Sequence, residues 1–225
     1  RAKRATPKAM AYTLNPVPYA DIDLSPAAPV EWLHRHRNVH HAGYLQRTNA
    51  IIEKYPELQG RTVEELLRRI SDIPEAIREE LVFEAGGHAD HQFFWKILGP
   101  ARQGNAPTGE LERALIGAFG SVAEFKAKFA AAALGLRGPG WAFLSRTAPQ
   151  GVEKLEVFAL SGNGSVLPLG KPGILICDTW EHAYEREHGD DRAAWLTSFW
   201  TMVNWEECDR RLIGLREGRM RGCAS

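Results

Sequence analysis

Cysteine is scarce in this chain of 225 residues: there are three, Cys177, Cys208 and Cys223, and no Cys-x-x-Cys pair. That argues against a disulfide framework or a thiolate zinc site and fits a reducing compartment. A surplus of either charge is also missing, because Lys+Arg and Asp+Glu both number 28. A general nucleic-acid binder would be basic, so none is expected as a partner. A local basic funnel for a small anion stays open. No apolar run reaches the ~18 residues of a membrane span, so no membrane partner is expected. Neither an internal repeat nor a low-complexity tract is present. The remainder, 44% hydrophobic and 25% charged, is ordinary globular composition with enough chain for a sizeable core. The opening RAKRATPKAMAY carries four basic side chains and no acidic one, without an apolar signal core. It is expected to be a solvated tail of a cytoplasmic protein, the alternative being the remnant of an organelle transit segment.

Hydrophobic periodicity divides the chain in two. Prolines at 7, 16, 18 and 26 make residues 1–28 an extended arm. From Pro29 the pattern is helical up to Pro56. TVEELLRRI opens with the capping box Thr62/Glu65. PEAIREELVFEAGGHADHQFFWKIL (74–98) predicts a long helix, with Gly86–Gly87 weakening its middle. GPARQGNAPTG (99–109) marks a boundary between an all-helical domain, 29–100, and a mixed domain, 108–225. In the latter, ELERALIGAFG and SVAEFKAKFAAAALG read as helices closed by glycine, the second with the capping box Ser121/Glu124. WAFLSRT, KLEVFALSG and GILICD read as short strands of an antiparallel three-stranded sheet. Helices follow from Thr179 to about Gly218. The expected class is α+β: an N-terminal helical hairpin domain, then a C-terminal domain with a three-stranded antiparallel sheet and surrounding helices.

Metal-capable side chains are densest in CDTWEHAYEREH (177–188). Six of the eight histidines lie at 34, 36, 40, 41 and at 88, 91. On a straight helix His36, His40 and Tyr44 share one face. One imidazole of that face, with those of His91 and His182 and the Asp178 carboxylate, would give an N3O set from three elements, suited to iron, manganese or zinc. Plainer readings exist for each part: an aspartate after a strand is often a helix cap, and HQFFWKIL is a natural core stripe. A di-iron bundle reading uses Glu31-x-x-His34 and Glu185-x-x-His188. It needs four long helices, which the strand block 141–178 interrupts.

Four motifs in order carry a family resemblance. HRNVHHAGYL (36–45), GGHADHQFFW (86–95), GPGWAFL (138–144) and DTWEHAYE (178–185), with FWTMVNW beyond, resemble the iron/manganese superoxide dismutase family over about residues 15–215. The resemblance implies His36, His91, Asp178 and His182 as ligands of one iron or manganese ion per chain, a solvent molecule completing the set, and superoxide as substrate. It implies catalytic roles for Tyr44 at the mouth, the gateway His40, and Arg192 at the base of an anion funnel. Trp141, Trp180 and Trp95 would wall the site. Glu181 would orient His182 across the interface of a homodimer, or within a tetramer.

Two departures stand out. Active members place a glutamine beside the bound solvent, where this chain has Gly87 and, in SGNGS, Gly162 or Asn163. Glu185 stands where the family usually has a tyrosine. These departures keep a second expectation in view: a metal-binding protein of this fold without efficient dismutation.

Overall fold

In a computed structural model the described residues are 12–219, so the basic opening segment lies almost wholly outside them, as does Cys223. Tyr12 ties the arm down: its backbone pairs with the Asn49 side chain and its hydroxyl donates to Arg61 O. Helix α1 (Val30–Arg35) runs through a π-helical turn, His36–His41, into α2 (Ala42–Lys54). The straight helix expected from the pattern is thus interrupted at its histidines. A π turn closes i→i+5 rather than i→i+4. It brings His41 to the inner side with His36, whereas a straight helix would rotate it away.

Helix α3 (Val63–Arg68) starts with the predicted capping box: Glu65 N–H donates to Thr62 Oγ1 at 3.1 Å and Thr62 N–H to Glu65 Oε2 at 2.7 Å. Helix α4 (Glu75–Lys96) then packs back against α2, which makes the helical hairpin. Gly86 and Gly87 do not break it. They lie where a Cβ would have no room, and the stability lost to glycine is offset by the close approach it permits. A Cβ on Gly86 would stand 2.5 Å from Asn163 O; one on Gly87 would stand 2.7 Å from Asn163 Nδ2 and 2.8 Å from the Tyr44 ring.

The mixed half begins with α5 (Gly109–Phe119) and α6 (Val122–Leu134), the latter capped by Ser121. Strands β1 (Gly140–Thr147), β2 (Lys154–Ser161) and β3 (Gly173–Asp178) form an antiparallel sheet in the order β2-β1-β3. β1 and β3 are almost wholly buried, which explains their continuous apolar runs. Register places Trp141 opposite Asp178. Helices α7 (Glu181–His188), α8 (Arg192–Met202) and α9 (Trp205–Arg216) follow. The fold is the expected α+β arrangement. No described helix is long and apolar enough to cross a membrane.

An ion network fastens the β1–β2 hairpin to α5 and α9. Arg216 bonds Glu153 at 2.6 Å and Glu110 at 3.0 Å, and Arg146 bonds Glu153 at 3.0 Å. The Arg216 hydrogen bond, outweighing slight burial and aided by Arg146, pulls the Glu153 carboxyl from 4.5 down to about 2. A depressed folded-state value stabilises above the unfolded one, so the contribution is complete above pH 4.5 and lost as pH falls through about 2. These side chains are about 30% exposed, so solvent screening leaves only about 1 kcal/mol. Glu153→Gln should cost that much at pH 7, measured by denaturant unfolding, and the gap to the parent should close near pH 2. A gap that persists unchanged at pH 2 would exclude the electrostatic origin.

Candidate metal centre

Three separate segments deliver four side chains to one point. The π turn contributes His36, α4 contributes His91, and the β3–α7 junction contributes Asp178 and His182. Their ligand-capable atoms all lie within 4.8 Å of one another. Asp178 Oδ2 is the hub, with Nε2 of His36 at 3.0 Å, of His182 at 3.2 Å and of His91 at 3.7 Å. His36, His91 and Asp178 are fully buried and His182 nearly so.

Asp178 combines two of the sequence readings. Oδ1 accepts from Trp180 N–H at 2.8 Å and so organises the entry to α7. Oδ2 stays free for the histidines. The Trp195 indole donates to the Asp178 carbonyl at 2.7 Å and fixes the strand end. His91 Nδ1–H donates to Gly87 O at 2.6 Å, which commits Nε2 to the centre. That Nε2 is buried without a hydrogen-bond partner among the described residues.

The charge balance suits a cation. Burial lowers the His36 imidazole to about 4 against the opposing pull of Asp178, and burial holds His91 well below its ordinary range. Burial by itself would raise the Asp178 carboxyl, but His182 and His36 outweigh it and hold the group far below the usual carboxylate range. A neutral imidazole accepts on one nitrogen only, and three imidazoles face one carboxylate oxygen. A divalent or trivalent ion satisfies these lone pairs together, including the orphaned His91 Nε2.

Aromatic rings exclude water. Trp32, Trp95 and Phe94 lie 4.8, 4.7 and 5.7 Å from the His36 ring. Trp141 stands edge-on to His91 at 4.9 Å, and Trp180 stacks on His182 at 5.8 Å. Tyr44 lies 5.5 Å from His91 with Arg47 over its outer face at 5.0 Å. Burial raises its hydroxyl pKa, with the Asn163 amide opposing. His40 stacks on His182 at 4.2 Å, and burial lowers it to about 4.

Other expected residues fall elsewhere. Arg192 spends its donors within the fold. Its guanidinium donates to the carbonyls of Ala133, Leu136 and Gly138 and to the Tyr184 hydroxyl, which braces the α6–β1 connection. Glu181 is exposed on the first turn of α7. Glu185 is exposed as well, and His34 is an exposed partner of Asp21 at 2.6 Å, so the paired Glu-x-x-His motifs do not converge. Asn163, rather than Gly162, turns its side chain inward. It is buried, its Oδ1 accepts from Trp141 Nε1 at 3.4 Å, and its Nδ2 lies over Gly87 without a hydrogen-bond partner among the described residues. Gly86 and Gly87 were the available signal, since a glycine pair inside a helix marks a close approach. Sequence reasoning missed the bonding of His41 and His88, whose facing nitrogens are 2.8 Å apart.

Comparison with known proteins agrees with this geometry. Residues 11–99 match the alpha-hairpin domain of iron/manganese superoxide dismutases, and residues 107–211 match the C-terminal domain. The chain is 39% identical over 202 residues to a protein of Listeria innocua named "Superoxide dismutase [Mn]", covering 90% of this chain and 98% of the relative. A Listeria monocytogenes protein of the same name is 38% identical over the same extent.

Proposed function

The chain belongs to the iron/manganese superoxide dismutase family, and on that footing we propose that it converts superoxide to dioxygen and hydrogen peroxide at one iron or manganese ion held by His36, His91, Asp178 and His182. The observation that carries the reading is the convergence of three Nε2 atoms on Asp178 Oδ2 inside a dry aromatic shell. Bound there, iron or manganese supplies reversible one-electron exchange, which zinc lacks.

The chain's own side chains supply the rest. The Asp178 carboxylate would balance part of the cation's charge, and the three imidazoles would each offer it a lone pair. Trp32, Trp95, Trp141 and Phe94 keep bulk water from the ligand set, which strengthens every electrostatic interaction within it. Tyr44, with its raised hydroxyl pKa, keeps its proton at neutral pH and can donate it to an anion at the mouth. His40, neutral and stacked on His182, forms the other rim. Arg192 braces the chain that leads into Trp141.

The protein is further read as a homodimer in a reducing compartment, the cytoplasm being the simplest. Support comes from the exposed Glu181 carboxylate next to His182, and from the free buried thiols of Cys177 and Cys208.

One preparation from the natural host tests the reading. Metal analysis should find one iron or manganese ion per chain, steady-state assays should show dismutation, and light scattering should give the mass of two chains. Turnover no better than the free aqua ion, with the metal in place, would leave a metal-binding protein and remove the enzyme. Two ions per chain would contradict the mononuclear site.

A further inference from the structure

Beside the face of His91 a chain of polar contacts runs to the surface, and its hydrogen bonds play no part in the chemistry above. Trp95 Nε1 is 3.0 Å from His41 Nδ1. His41 Nε2 is 2.8 Å from His88 Nδ1. His88 Nε2 is 2.7 Å from the Gln92 carboxamide, whose other end is 2.8 Å from the exposed carboxamide of Asn15 in the arm. Trp95, His41 and His88 are buried; Gln92 is half-buried.

The direction of these bonds is forced. An indole N–H only donates, so His41 Nδ1 must offer a lone pair. His41 therefore carries its proton on Nε2 and donates to His88 Nδ1. His88 in turn carries its proton on Nε2 and needs an acceptor at Gln92. With the Gln92 nitrogen turned toward His88, the direction reverses, and donors would face both nitrogens of His41. Only an imidazolate meets that demand. A half-turn of the Gln92 and Asn15 carboxamides removes the conflict, since their oxygen and nitrogen are assigned by the network around them.

We propose that Trp95, His41, His88 and Gln92 form a one-way hydrogen-bond relay that holds His41 as the Nε2–H tautomer and seats His91, which makes His88 and Gln92 positioning residues of the metal centre. His41 lies flat against His91, with ring centres 5.2 Å apart and planes 10° apart. The edge of the His91 ring is fixed by Gly87 O and its face by His41. If His41 changed tautomer, two N–H groups would oppose each other at Trp95 and the ring would move, releasing one of the restraints on His91. The positioning role rests on His91 being a ligand; the tautomer assignment does not.

Two measurements test it. Neutron diffraction from crystals of the metal-loaded protein should place deuterium on Nε2 of both His41 and His88, and the Gln92 oxygen toward His88. Deuterium on His41 Nδ1 would overturn the relay. In parallel, Gln92→Leu removes the terminal acceptor and Gln92→Glu keeps one. Loss of metal to an excess of chelator should be on the order of tenfold or more faster in Gln92→Leu, as for other groups that orient a ligand, with a changed electronic spectrum of the bound ion. Gln92→Glu should stay near the parent. Equal rates in the two variants would overturn the positioning role and reduce the contact to packing. A parent that holds no metal would sink the ligand reading and the positioning role with it, while the neutron map would still decide the tautomer.

Discussion

His91→Ala is expected to empty the metal centre and abolish dismutation, whereas Tyr44→Phe keeps the metal. The difference follows from what each side chain does. His91 is fully buried, and its Nε2 has no hydrogen-bond partner among the described residues. Alanine there removes one of four ligands and leaves a cavity beside Asp178, whose carboxylate then lacks a counter-charge in an apolar shell. Loss of a group that merely orients a ligand already costs about 10–100-fold in affinity, and loss of the ligand itself must cost more. Tyr44 packs against His91 at 5.5 Å through its ring, which phenylalanine reproduces; only the hydroxyl proton is lost. Elemental analysis after dialysis, read beside turnover, separates the two. Stoichiometric metal in His91→Ala would refute the ligand assignment on α4. Because a bound ion stabilises the folded state by mass action, the emptied variant should also melt lower than the loaded parent.

The second large effect is expected from the glycine cradle. A methyl group on Gly87 meets Asn163 Nδ2 at 2.7 Å and Tyr44 Cγ and Cδ1 at 2.8 Å; one on Gly86 meets the Asn163 carbonyl at 2.5 Å. Alanine in a helix gains about 1 kcal/mol over glycine from backbone entropy. Overpacking costs about 1–3 kcal/mol and sometimes more. Overlap with a backbone carbonyl leaves little to yield, so the overlap should prevail at Gly86. Gly86→Ala should lower stability by about 1–2 kcal/mol, or about 2–8 °C in melting temperature for a chain of this size. At Gly87 the obstacles are two side chains. Gly87→Ala should change stability less but displace Tyr44 and Asn163, which lowers turnover with the metal retained. Denaturant unfolding and turnover of the metal-matched variants test this. Gly86→Ala as stable as the parent, or Gly87→Ala with unchanged turnover, would mean that α4 and the Asn163 loop need not lie so close.

Elements whose signals are local were legible in the sequence. The Thr62/Glu65 cap, the period change at β1, and the buried runs of β1 and β3 each depend on neighbours within a few residues. The ligand set was readable only as alternatives until its motifs were taken together in order, because spacing within one helix cannot say which histidine meets a distant aspartate. Arg192 shows the limit plainly. As a charge in sequence it suited an anion funnel, and what the sequence does not show is that its donors go to three carbonyls around the α6–β1 connection and to the Tyr184 hydroxyl. His41 shows another, for its inward turn depends on a π-helical register that the repeating pattern of apolar residues does not encode.

The amino-acid order by itself determined the helical hairpin, the three-stranded sheet, and the residue types able to hold a redox metal, since periodicity, capping and side-chain chemistry act over short range. Only the tertiary structure decided that Asp178 keeps one oxygen for its own turn and turns the other to three histidines. It also decided that Asn163 lies on a glycine floor, and that Trp95 dictates the tautomer of His41. Those outcomes depend on distances between segments far apart in the chain, which are set when the hairpin packs against the sheet.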